Sequence, residues 1–156
     1  MARYNKIYAG PFTEATPQVQ ERVAAADTLP GIAVIESSGK FAKAGANAAG
    51  KVFIAQENYL LLKGVDDVWK SGDRMIGMEM LDEQFFNVRV PTGTNVTRDA
   101  ALTTDANGKF VLASVGQRVI AYAEEAYNNT SGSDQLVRAR AARGGIMAPA
   151  SDWANV

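Results

Sequence analysis

The sequence predicts an all-β, mainly antiparallel domain, and three observations carry that expectation. First, apolar and polar residues alternate with a period of two: Phe86, Val88 and Val90 against Asn87 and Arg89, and Leu136, Arg138 and Arg140 against Val137, Ala139 and Ala141. Second, each β-type run is closed within a few residues by Pro, Gly, Asn or Asp, before it reaches the length of an ordinary helix. Third, Asp105-Ala106-Asn107-Gly108 supplies residues that tolerate positive φ between two such runs, which suits a tight hairpin.

Taken in order, residues 1–29 read as an extended N-terminal arm punctuated by Pro11, Pro17 and Pro30. Thr16 can cap and Pro17 can open a short helix over 17–26, with Val19, Val23 and Ala26 on one side. A helix that short is marginal without a partner. The β domain occupies 30–143, with strands expected at Ile32–Glu36, Lys51–Ala55, Tyr59–Lys63, Arg74–Leu81, Phe85–Val90, Asn95–Leu102, Lys109–Ala113, Val119–Glu124 and Leu136–Ala141. Gly39 to Gly50, rich in Ala and Gly, reads as a loop or irregular edge, and Gly64 to Asp73 as a turn region with one helical turn around Val65–Trp69. Such short strands joined by turns imply a sandwich or small barrel, because the helices of a parallel βαβ sheet are missing. An Ala- and Gly-rich tail, 144–156, carries Trp153.

The composition narrows the chemistry. The 156 residues suit one domain with its own core, and the charge balance of −1 gives no general attraction to nucleic acid or anionic lipid. With neither cysteine nor histidine, the chain holds no disulfide, thiol nucleophile, Ser-His-Asp triad, zinc-thiolate site or histidine-ligated metal. Enzyme options shrink to carboxylate, lysine or tyrosine chemistry. The start, Met1-Ala2-Arg3-Tyr4-Asn5-Lys6, leads into no apolar run, so neither a signal peptide nor a membrane span is expected.

Candidate sites are few. Asp66-Asp67, Asp82-Glu83 and Glu124-Glu125 are adjacent carboxylates, whereas a glycosidase pair must face one cleft about 5–9.5 Å apart. Solvated charge is the expected reading. The Asp105–Gly108 segment lacks the third oxygen ligand of a calcium loop and has Ser114 where the bidentate Glu belongs. No metal, cofactor or catalytic residue is therefore expected. Arg138, Arg140 and Arg143, with Arg98 and Arg118, have no aromatic among them to stack a base, and read as a polar strand face or an interface edge. Met75, Met78 and Met80 suit core gaps first and a subunit seam second. In the arm, Tyr4, Tyr8 and Phe12 recur every four residues, but Gly10 and Pro11 disfavour a continuous helix. An extended arm can add a strand to a neighbouring sheet with these aromatics as anchors. Trp153, near the end, is a further candidate for a groove of its own domain or a neighbour.

The order of elements resembles that of capsid decoration (cement) proteins of tailed bacteriophages. The resemblance is carried by Pro30-Gly31-Ile32-Ala33-Val34, Gly72-Asp73-Arg74-Met75-Ile76, Pro91-Thr92-Gly93-Thr94 through Leu102-Thr103-Thr104-Asp105, Gly108-Lys109-Phe110, Val119 to Glu124, and Val137-Arg138. It spans roughly 30–141 and offers no catalytic residues to transfer. It implies a β-tulip or small barrel that binds the outside of an expanded head and stabilises the capsid lattice without enzymatic activity. It further implies synthesis in the bacterial cytoplasm, a place on the capsid exterior, and the major capsid protein and further copies of itself, as a homotrimer, as partners. Nucleic acid and membrane are not implied. The residues alone also allow a sandwich or barrel module that binds carbohydrate or another protein, and an enzyme working through carboxylates or lysine.

Overall fold

The computed structural model describes residues 1–10, 18–143 and 147–148. Within them run β1 (Tyr8–Gly10), β2 (Val19–Ala24), β3 (Ala33–Ser37), β4 (Lys40–Lys43), β5 (Phe53–Ala55), β6 (Arg74–Glu79), β7 (Phe85–Val90), β8 (Asn95–Val96), β9 (Ala101–Thr104), β10 (Phe110–Leu112), β11 (Ala121–Ala123), β12 (Tyr127–Asn128) and β13 (Gln135–Ala141). The one helical element among them is a 3-10 turn at Tyr59–Leu61. The fold is all-β and mainly antiparallel, with a closed barrel, as the sequence predicts.

Two bodies of strands share the chain. The barrel runs β2-β4-β3-β5-β6 and closes where β2 pairs antiparallel with β6, Val19 opposite Met78 through Val23 opposite Arg74. Its β2–β4 pairing is parallel. The second body is a six-stranded sheet, β1-β7-β13-β11-β9-β10, with the small β12–β8 pair beside it. Phe41 and Phe53, ring centroids 5.2 Å apart, fill the barrel with Trp69, Met75 and Ile76. Gly77 leaves room for the Phe41 ring: a Cβ there would stand 2.7 Å from it. A larger core joins Ala33, Ala44, Ile54 and Met78 of the barrel side to Phe86, Val88, Val90, Leu102, Phe110 and Leu136 of the sheet side.

The seam between the bodies is partly backbone. Ala33 N–H donates to the Gly108 carbonyl at 2.8 Å, so the β9–β10 hairpin turn plugs onto β3. That turn is the predicted one: Gly108 N–H donates to Asp105 O, and Asp105 Oδ1 accepts from the N–H groups of Asn107 and Lys109. Gly108 sits at φ +73°, and a Cβ there would lie 2.4 Å from Ala33 O, so glycine is required twice over.

Several local expectations are corrected. The short helix over 17–26 is strand β2 across Val19–Ala24; β-branched Val19 and Val23 weaken a helix, and pairing along β6 overrides the cap signal. Within Gly39–Gly50 lies β4, turned back from β3 by Ser38 and Gly39, both at positive φ. The strand expected at Tyr59–Lys63 is the 3-10 turn, and Val65–Trp69 forms a turn closed by Asp67 N–H on Gly64 O, not a helical one. Asn95–Leu102 breaks into β8 and β9 around a turn with Asp99 at φ 65°. Met75 and Met78 are buried within the chain, and Met80 packs partly against the larger core.

Candidate interaction surface

The N-terminal segment is extended, and it is occupied by its own domain. β1 pairs with β7 of the same chain, Tyr8 opposite Phe86, and their rings meet edge to face at 5.8 Å. The Tyr4 hydroxyl donates to the Glu125 carboxylate, 2.7 Å from either oxygen. Glu125 also accepts the Arg138 N–H and pairs with Arg3 at 3.5 Å. The Arg3 guanidinium stacks 3.8 Å from the Tyr127 ring centroid, and Arg138 lies 5.3 Å from that of Tyr4. Burial, with the hydrogen bond and charge of Glu125, pushes the Tyr4 phenol above its ordinary value against the opposing pull of Arg3 and Arg138. Tyr4 and Tyr8 are thus half-buried intramolecular anchors, while Phe12 and Trp153 lie outside the described residues. Within the chain the arm does add a strand, β1 onto β7.

The expected alternation on β7 is also modified, because both faces of that strand are buried. Arg89 is only 2% exposed. Its Nε donates to Pro30 O at 2.9 Å, and its Nη2 to Val65 O at 2.5 Å and to Asp66 Oδ1 at 2.9 Å. Sequence reading treated Arg89 as the polar side of a two-faced strand. No local signal distinguishes a solvated Arg from one that gathers loop carbonyls.

Most of the other arginines named from the sequence are partnered on the surface. Arg140 pairs with Glu124, Arg143 with Asp82, and Arg118 donates to the carbonyls of Ala48 and Gly50. Among the described residues no cluster of three acidic residues converges. Trp69 is buried, its indole N–H donating to Gln56 O at 2.7 Å.

What sequence reading missed is the loop that follows Gln56 and Glu57. Leu60, Leu61 and Leu62 are 67%, 68% and 94% exposed, and Tyr59 joins them at the surface. Asn58 caps the 3-10 turn by accepting the Leu61 N–H on its side-chain oxygen, and its backbone carbonyl accepts from Lys63. Leu62 closes the turn in the left-handed region, φ 55° and ψ 31°. A branched apolar side chain in that region, turned to water, is locally unfavourable on both counts. The readable cues were Asn58 before and Gly64 after three leucines that do not alternate.

Both stems of this loop are held by the N-terminal arm. On one side Glu57, buried, accepts the Ile7 N–H at 3.2 Å and pairs with Lys6 at 3.7 Å. On the other, Asp66 accepts the Ala2 N–H at 2.8 Å as well as Arg89. Burial alone would raise the Asp66 carboxyl; the Ala2 N–H, the Arg89 guanidinium and the amino terminus outweigh it and hold it below the ordinary carboxylate value.

The domain is a closed five-stranded barrel packed on an antiparallel sheet, with an apolar loop at its surface. That fold is found on a phage head. The chain superposes on the N base of head fiber gp8.5 of bacteriophage phi29 with a TM-score of 0.57 and 17% identity, over 85% of this chain and all (100%) of that one. The likeness is one of fold, and it agrees with the resemblance to phage capsid decoration proteins. No protein-family model and no curated protein matches the sequence.

Proposed function

We propose that the chain is a structural virion protein that binds the outer surface of a phage head and stabilises the capsid lattice, without enzymatic activity. The observation that supports this best is the superposition over the whole of the phi29 head fiber base. In this reading the major capsid protein is the partner, and copies associate as a homotrimer, since positions around a threefold need a matching cyclic contact. The protein is made in the bacterial cytoplasm and ends on the capsid exterior. Phe12 and Trp153 are proposed contacts on the capsid or a neighbouring subunit, while Tyr4 and Tyr8 contribute by fixing the arm to its own domain.

The test is addition of the purified protein to expanded heads assembled without it, followed by electron microscopy and heat challenge. The expected result is density on the outer surface at three-fold or quasi-three-fold positions, with heads that rupture at higher temperature. Heads that acquire no density sink the reading; density as two-fold dimers or single copies sinks the trimer alone.

A further inference from the structure

Resting on that head-surface reading, we propose that the Tyr59–Leu62 tip is the element that docks, seating Leu60, Leu61 and Leu62 in an apolar socket of a capsid subunit, and that the N-terminal arm holds the tip in its docking shape. Three adjacent leucines that are each at least 67% exposed form the largest run of uncovered apolar side chain among the described residues. Exposed apolar patches of this kind mark contact sites.

The shape of the tip is set before any partner arrives. Asn58 caps the turn from both its side chain and its carbonyl, Leu62 closes it at positive φ, and Glu57 and Asp66 tie its stems to Ile7 and Ala2. A loop already ordered in its bound form loses less entropy on docking. Leu62 is held where a leucine is disfavoured, and such outliers persist where surrounding structure over-determines them.

The charges around the tip select the kind of partner. Glu57 is paired with Lys6 and Asp66 with Arg89, and exposed Lys63 is balanced by exposed Asp67. No basic surplus remains to draw the leucines onto an anionic lipid surface, where apolar tips are accompanied by Lys and Arg. A second copy of the chain offers a poor socket. Its cleft of about 240 Å³ sets Lys51, Glu79, Asp82 and Arg118 among apolar Val52, Met80, Leu81 and Ile120, and that of about 320 Å³ sets Asp66, Arg89 and Asp134 beside Met1, Ala2 and Leu29, so charge stands in both. An apolar pocket on a different protein is the occupant that fits.

The experiment compares wild type, the double variant Leu61→Ser/Leu62→Ser, and Glu57→Ala for co-sedimentation with expanded heads lacking the protein. The double variant is expected to lose more than about ten-fold in affinity, as removal of two buried leucines implies, with an unchanged melting temperature. Glu57→Ala is expected to bind more weakly and to exchange the amide hydrogens of Leu61, Leu62 and Lys63 faster than wild type. A double variant that binds heads as tightly as wild type overturns the docking proposal and leaves the head-surface reading standing. Wild type that does not bind heads overturns both. Wild type that floats with phosphatidylglycerol/phosphatidylethanolamine vesicles, or a double variant that loses self-association, also overturns the proposal by making lipid or a second copy the occupant. Unchanged amide exchange in Glu57→Ala removes the arm from it.

Discussion

Arg89 and Asp66 meet at 2.9 Å across the boundary between core and surface, the first side chain 3% exposed and the second 50%. The pair couples a central strand of the sheet to the loop region that also receives the amino-terminal segment. Since the guanidinium additionally satisfies the carbonyls of Pro30 and Val65, its removal leaves buried acceptors without donors. Arg89→Ala is expected to cost about 3–5 kcal/mol in urea denaturation. Arg89→Lys should recover only a part, because an ammonium cannot reproduce the planar fork. A loss for Arg89→Ala within the ordinary surface range, about 0.5 kcal/mol, would show that water takes over those carbonyls.

Acid should weaken this contact. A carboxyl whose folded-state pKa lies below its unfolded value contributes stability at pH above the unfolded value, and that contribution is lost as pH falls through the folded one. Asp66 is such a group, and so is Asp27, lowered by the Ser71 N–H and the Lys70 ammonium against a small burial effect. Stability measured by denaturation should therefore decline as pH drops below the ordinary aspartate value of 3.8. In Asp66→Asn the decline should be shallower and the neutral-pH stability lower. An identical pH slope in the variant would remove Asp66 from the effect.

The amino-terminal residues should behave as part of the folded domain. Ile7 is fully buried in the larger core, and Asn87 ties in from both its backbone N–H, to Ile7 O, and its side chain, to Lys6 O. Ile7→Ala is expected to destabilise by about 2–5 kcal/mol, the range for a buried aliphatic truncated in place. Deleting residues 1–10 should be worse, since strand β1 and the Glu57 and Asp66 contacts go with it. A deletion variant with the wild-type melting temperature would refute this.

Relief of the Leu62 backbone should raise stability. Asparagine tolerates the left-handed region better than leucine does, so Leu62→Asn is expected to gain about 0.5–1 kcal/mol by denaturation while removing one exposed leucine. Higher stability together with weaker head binding would be the signature of a residue kept for contact. A destabilised Leu62→Asn would mean that the leucine packs against its own domain.

The Asp105–Gly108 hairpin was legible because its chemistry is local: an Asx side chain on two following N–H groups, and a glycine where φ must be positive. The order of β5, β6, β7 and β13 was legible for a similar reason, as their alternation or apolar runs are read within a few residues. Strand β2 was not, because Thr16-Pro17 is a genuine helix-opening signal, and it takes pairing with β6, added to the weak helix preference of Val19 and Val23, to override it. Tyr59-Leu60-Leu61-Leu62 was misread because an apolar run carries no mark of whether water or protein will cover it. The burial of Arg89 and the stem contacts at Glu57 and Asp66 join residues 23 to 64 positions apart, and no local pattern encodes those meetings. Tyr4 and Tyr8 were expected to anchor the arm on a neighbour, and here they are received by β7 and Glu125 of the same chain.

Closure of the β2-β4-β3-β5-β6 ring has a colloidal consequence. Each of the five strands lies between two others, so the barrel has no edge strand along which another copy could add. The six-stranded sheet ends in β1 and β10, three residues each, too short to seed a stable intermolecular ladder. Copies crowded side by side can therefore remain discrete particles, and growth into fibres is blocked by topology rather than by charge, which at −1 would offer little repulsion.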